Sequence, residues 1–223
     1  MIHGFKGKSV TTAEEWLIDY SLKTGNAVNV NTDLLDTPII FDGKEVDAFI
    51  LDIIDNKLVI QLALPIATKF DDRSGRYETS YVRKLINSNE FLNRFNQEFV
   101  KHIQLTKVYT EDYVTNDKLW LLSHEEVNSS DDCLKPNHKC ISFEMFKAID
   151  LEAYSRMLLE LNVKNALRRQ VFDWRLRSTY STTSYTIIKS VAVVGGVGSS
   201  GYIYTSKVNS TLYGALCPAC TIC

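Results

Sequence analysis

Three apolar, β-prone runs follow one another early in the chain: "TPIIF", "VDAFILDII" and "KLVIQLALPI". They are separated by "DGKE" and by "DN". Asp, Asn and Gly tolerate the positive φ that tight hairpin turns demand, so these separators read as strand reversals. The order predicts a β-meander, and the first commitment it forces is to antiparallel sheet.

Around this block the period becomes helical. In "TTAEEWLIDYSLKTG", Thr12 caps and Glu15 stands three residues on, as in a capping box. Ala13, Trp16, Leu17 and Tyr20 follow the i, i+3, i+4, i+7 rule, and Gly25 ends the run. Residues 1–35 are expected to form a helical segment that packs on the core, or serves as an attachment element, ahead of a domain over 36–223. From Ser80 onward "SYVRKLINS" and "EFLNRFNQEFVKHI" are predicted helical, with Phe91, Phe95, Phe99 and Ile103 on one face. "DKLWLLS" reads as a buried strand and "HEEVNSSDDCLKPNHKC" as a polar loop. "FEMFKAIDLEAYSRMLLELNVKNALRR" reads as a helix burying Tyr154, Met157, Leu158 and Leu161.

Beyond Asp173 the composition changes. Residues 179–213 are dominated by Ser, Thr, Tyr and Gly, their only charges are Lys189 and Lys207, and no acid occurs from Thr179 onward. Runs such as "TIIKSVAVV" and "YIYTSKV" keep the segment β-like. Tyr offers a large contact area with few rotors, and Ser and Gly offer adaptable polar contacts, the mixture used by antibody binding loops. An exposed binding surface is expected here.

The same segment contains Gly196-x-Gly198-x-x-Gly201 after an apolar run. A dinucleotide site needs a helix after those glycines and an acid about 20 residues later. "YIYTSKVNSTLYG" is a poor helix and no acid follows, so a hairpin with a glycine-serine turn is the expectation.

Other chemistry is thinner. The five cysteines are Cys133, Cys140, Cys217, Cys220 and Cys223, an odd count that argues against a disulfide framework. Cys217-x-x-Cys220 has redox spacing but sits in a β context rather than at a helix N-terminus. Zinc on Cys133, Cys140, Cys217 and Cys220, with His138 in reserve, is the rival to buried, reduced thiols, against a wide first spacing. His124-Glu125-Glu126 lacks the second His of a zinc-protease helix and reads as a helix start after Ser123. Asp71-Asp72, Glu111-Asp112 and Asp131-Asp132 lack calcium-loop spacing and read as solvated acids. No Ser sits in a nucleophile elbow, and nothing selects a Ser/His or Cys/His pair from the four histidines. No metal or cofactor site is therefore assigned. Formal net charge is −2, which gives no basic footprint for nucleic acid. No apolar run reaches the roughly 18–20 residues of a membrane span. "MIHGFKGKSVTTAEEW" lacks the apolar core of a secretory signal, so synthesis in a cytosol is expected.

Five ordered blocks carry a resemblance. They are Ser80-Tyr-Val-Arg83-Lys-Leu-Ile-Asn87; Phe91-x-x-x-Phe95-x-x-Glu98 with Ile103; Thr115-x-Asp117-Lys118-Leu119-Trp120-Leu121-Leu122-Ser123 with Glu126-Val127; Trp174-Arg175-Leu176-Arg177-Ser178; and Gly214 to Cys217-Pro218-Ala219. These resemble a family of bacterial and phage proteins of mostly unassigned function, which reads S-x-I-R-x-W-L-N, F-x-x-x-F-x-x-E, T-x-D-K-x-F-L-L-S-x-x-E-V, W-W-L-R-S and G-V-R-P-A. The resemblance runs from about residue 40, with a helical insert between Cys140 and Arg169. Two positions depart from it: Arg175 replaces the second Trp, and Leu216-Cys217 stand near the family's terminal Arg. The resemblance implies an α+β fold, a C-type-lectin-like domain with antiparallel β-sheets and flanking helices, akin to formylglycine-generating-enzyme-like domains. Many such proteins are the variable proteins of diversity-generating retroelements, and residues 179–213 occupy the variable position.

The expected function is non-enzymatic ligand binding, as a phage virion protein for host attachment, with a host-surface protein or glycan as ligand and other virion proteins as neighbours. Tyr180, Tyr185, Ser199, Ser200, Tyr202, Tyr204, Asn209 and Tyr213 are the candidate contacts. A structural virion or surface component, able to form homo-oligomers, is the second expectation. A formylglycine-generating-type enzyme with reactive cysteines is the third. Location in a virion is expected, with the cytoplasm as the alternative.

Overall fold

Two aspartates set the antiparallel geometry. The computed structural model of the protein describes residues 38–55, 57–64, 68, 70, 76–110, 113–127, 140–164, 174–179, 193–197, 203–207 and 217–223. Asp42 (φ 50°) and Gly43 (φ 73°) both take positive φ, the signature of a type I′ turn. They join β1 (Ile40–Phe41) to β2 (Lys44–Glu45), pairing Phe41 with Lys44. Asp55 (φ 50°) likewise turns β3 (Ala48–Ile54) into β4 (Lys57–Leu62). Their register runs from Ala48↔Leu62 to Ile54↔Lys57 and shifts between Ile50 and Asp52, where a bulge absorbs one residue.

The predicted meander forms only in part. β2 stays in its own small ladder with β1, and β4 takes as its second neighbour β11 (Ala219–Ile222), from the far end of the chain. β5 (Ile103–Gln104) completes an antiparallel sheet in the order β3-β4-β11-β5. β6 (Thr106–Thr110) and β7 (Tyr113–Asp117) form a separate hairpin.

Three short helices follow β4: α1 (Tyr81–Ile86), α2 (Asn89–Leu92) and α3 (Gln97–His102). Ser80 Oγ accepts the Arg83 amide and Ser88 Oγ the Phe91 amide, each satisfying a donor that a helix start leaves unpaired. The continuous helix expected over 90–103 is thus two helices, and Ile103 already belongs to β5. The cause is Asn96, held extended (ψ 137°), whose side chain accepts the Ile40 amide (2.9 Å) and donates to the Pro38 carbonyl (3.1 Å). The four-residue spacing still reads burial correctly. Phe95 packs on Phe41 at 4.7 Å and on Phe99 at 5.3 Å, and all four predicted positions are in the core.

Leu119–Leu122 are buried as predicted, yet they form no ladder. Trp120 makes one two-bond bridge to Ala219 (3.0 and 2.7 Å), and the Leu122 carbonyl accepts the Arg177 amide. The predicted helix after Phe143 divides into α4 (Glu144–Ala148) and α5 (Leu151–Lys164), because Ile149 is extended and Asp150 Oδ1 caps the Ala153 amide (2.7 Å). Tyr154 and Leu158 are buried on the expected face and Met157 packs against the core.

A last sheet has the order β10-β9-β8, from β8 (Trp174–Thr179), β9 (Val193–Val197) and β10 (Ile203–Lys207). The protein is therefore α+β, with antiparallel sheets and flanking helices. The N-terminal segment 1–35 and most of the polar loop after Ser123 lie outside the described residues.

Candidate functional site

β8 joins the Ser/Thr/Tyr/Gly-rich sheet to the core, and its side chains show how. Trp174 pairs with Val197 and Arg175 with Gly196, then the register jumps to Thr179↔Val194. The residues that leave the ladder turn to the core. The Arg177 amide reaches Leu122, and the Arg177 guanidinium donates from Nη1 and Nη2 to Glu126 Oε2 and Oε1, both at 2.6 Å. Nη1 also reaches the Leu121 carbonyl, Nε the Tyr109 carbonyl and Nη2 the Cys140 sulfur. Burial alone would depress this guanidinium's pKa, but Glu126 overrides it and the net shift is upward, so Arg177 stays charged. The helix start expected after Ser123 is instead a turn over His124–Val127, and reciprocal bonds across it position Glu126: its Oε2 accepts the Ser123 amide and Ser123 Oγ accepts the Glu126 amide.

The other motif residues are engaged in the same way. Arg83 holds Asp117 at 2.8 Å, and Thr115 Oγ1 donates to the other carboxylate oxygen at 2.6 Å. Asn87 bridges Lys118 and Leu119 through both ends of its amide. Tyr154 donates to Gln61, which donates to the Cys217 carbonyl, and Trp174 Nε1 donates to Ser155. Arg175, where the resemblance expects Trp, is fully buried. Sequence reading missed the Arg177–Glu126 pair and the Gln61–Tyr154 link. The Ser123-x-x-Glu126 spacing could have placed Glu126 against Ser123, but no sequence signal placed it against Arg177.

These groups are poorly arranged for catalysis. His124 Nδ1 lies 3.1 Å from Ser178 Oγ, a Ser/His pair that the sequence alone did not select. Glu125 Oε2 approaches that same nitrogen at 3.2 Å, whereas a relay needs the acid on the opposite ring nitrogen. Ser178 Oγ also accepts the His124 amide at 2.9 Å, which ties it to the backbone. Burial pushes the Cys217 thiol up to about 12 and Cys220 further. Burial, opposed by Arg177, pushes Cys140 up to about 11. Thiols held this way stay protonated near neutral pH and are poor nucleophiles and metal ligands. Among the described residues no three His, Cys, Asp or Glu side chains converge as a metal set, and Cys133 and His138 lie outside them.

Of the eight candidate contacts, Tyr204 alone falls among the described residues. It lies in β10, paired with Gly196 of β9. Val197 pairs with Ile203, so 198–202 connect two antiparallel strands, as predicted for a hairpin. Gly195 and Gly196 are inside β9, not in a phosphate-cradling loop. Tyr180, Tyr185, Ser199, Ser200, Tyr202, Asn209 and Tyr213 lie outside the described residues, three of them between the paired strands in sequence.

A concavity unanticipated from sequence is a cleft of about 740 Å³. Val59, Thr221 and Gln104, neighbours across β4, β11 and β5, line it together with the strand from Leu105 to Tyr109, the β3–β4 tip and Cys140–Phe143.

The described residues form an antiparallel α+β domain whose motif side chains serve buried links, with a separate sheet, β8-β9-β10, carrying part of the hydroxyl- and tyrosine-rich segment. The chain belongs to the family described as Domain of unknown function (DUF6273), whose model matches residues 55–222, from the β3–β4 turn through β11. No curated protein and no solved structure matches it.

Proposed function

We propose that the protein is a non-enzymatic ligand-binding domain of C-type-lectin-like type, a phage virion protein that displays residues 179–213 to a host-surface protein or glycan. One observation carries the reading: the division of labour between the two parts of the chain. Asn87, Asp117, Glu126, Trp174 and Arg177 are consumed in internal hydrogen bonds. The segment richest in adaptable contact residues hangs on a different sheet, β8-β9-β10, fastened through β8. That separation lets a surface vary while its support stays fixed. The protonated, buried thiols weigh against the formylglycine-generating-type alternative.

Aromatic anchors dominate the energy of such surfaces. The double variant Tyr202→Ala/Tyr204→Ala is expected to lose binding of the fluorescently labelled protein to bacterial cells, with its thermal unfolding unchanged. Retained cell binding by a folded variant sinks the proposal. Loss of a homo-oligomer in place of cell binding would favour the assembly role instead.

A further inference from the structure

We infer that the outer edge of the strand through Leu105 and Lys107 is a docking site for an extended, acid-bearing apolar peptide of a partner protein, which adds to it as a further strand. The inference concerns a different surface from residues 179–213 and does not rest on the function proposed above.

The backbone supplies the first argument. β5 and β6 form a nearly continuous extended run, interrupted only at Leu105. Within a strand the N–H and C=O of one residue point the same way, and the direction alternates along the chain. Tyr109 turns its carbonyl away from β7, where it accepts Arg177 Nε (3.2 Å) and the Cys140 thiol (3.6 Å). Two residues back, Lys107 faces that same outer side, and Leu105 two further. At the other end, His102 and Cys223 bond across the β5–β11 side, which puts Gln104 on that side and Leu105 again outside. Among the described residues no backbone group meets Leu105 or Lys107 on the outer side. An open strand edge of this kind recognises one class of ligand, an extended peptide.

The side chains supply the second argument. Leu105 is 68% exposed, Ile141 76% and Ile54 46%, and all three line the cleft that borders this edge. Alternate residues of an added strand would set apolar side chains against them.

Charge completes the description of the partner. In the cleft, Asp52 has both oxygens taken by the amides of Ile53 and Glu144, and Glu126 is neutralised by Arg177. Lys57 and Lys107 have no ion-pair partner among the described residues, and Asp52 and Asp55 are the acids of the lining that no cation pairs. Lys107 itself stands exposed on the open edge, so a carboxylate on the incoming strand opposite it is complemented there.

The test uses the full chain and three blocked synthetic heptapeptides: alternating Val and Glu, alternating Val and Lys, and a Val/Glu version N-methylated at alternate amides. Fluorescence anisotropy is expected to show saturable binding of the Val/Glu peptide, with the other two weaker by about tenfold or more. Lys107→Pro removes a single outward N–H at a position where an edge strand tolerates proline, and is expected to weaken binding about tenfold while the protein stays folded. Lys107→Glu keeps the backbone and is expected to reverse the preference between the Glu and Lys peptides, which keeps the test decisive should the proline variant unfold. Equal binding of the N-methylated peptide, an unchanged preference in Lys107→Glu, or no binding of the Val/Glu peptide overturns the inference. So does a wild-type dimer in sedimentation that Leu105→Asp dissolves, because the edge would then belong to a second copy of this chain.

Discussion

Arg177 uses every donor it has. Its five N–H groups meet the Tyr109 and Leu121 carbonyls, both Glu126 oxygens and the Cys140 sulfur. A guanidinium buried this way is tolerable only while its counter-charge is in place. Glu126→Ala is expected to destabilise the fold by about 3–5 kcal/mol, since it strands a buried cation. The double variant Arg177→Met/Glu126→Leu is expected to cost much less than either single change, because no uncompensated charge remains. Urea denaturation of the three variants checks both statements. This pair also marks a limit of sequence reading at the residue scale. Arg177 stood in a recognised block and Glu126 in another, and a helix start was expected after Ser123. Nothing local paired the two blocks, because attraction between side chains 51 positions apart leaves no periodic trace.

At the scale of elements, pattern predicted burial better than continuity. Phe91, Phe95 and Phe99 recur at helical spacing and are all in the core, yet the helix breaks between them. The break is built by Asn96, whose amide is spent on Ile40 and Pro38, so β1 and α3 are held by one side chain. A residue that bonds a distant strand cannot be told from a solvated Asn by its neighbours in sequence. The turns were legible for the opposite reason: Asp42-Gly43 and Asp55 act through their own φ angles. Asn96→Ala is expected to cost about 1 kcal/mol through the half-buried donor and acceptor it leaves unmet. Hydrogen exchange separates this from a global effect. The Ile40 amide should lose protection while the Val59–Thr221 ladder keeps it, and equal loss at both would refute the local account.

At the scale of the molecule the decisive feature is the return of the chain end. β11 enters the main sheet between β4 and β5, pairing Cys220 with Ile60 and Ile222 with both Leu58 and Ile103. The local pattern that marks a strand does not say which strands it will join, so the meander read from the first runs was incomplete. The topology has a consequence for a displayed surface. In sequence the segment 179–213 is bracketed by β8, fixed through Arg177, and by β11, fixed inside the main sheet. Randomising 180–185, 198–202 and 208–213 to Ser, Tyr, Asn and Gly is expected to leave Tm within about 4 °C of the parent, about 1 kcal/mol for a chain of this size. Removing 217–223 should abolish cooperative unfolding, since it opens the main sheet between β4 and β5 and exposes the apolar neighbours of Ala219, Cys220 and Ile222. A scan of each variant by calorimetry decides the matter. A loop-randomised pool that melts broadly and early would mean that the hydroxyl- and tyrosine-rich sheet is part of the core's stability and not a surface carried by it.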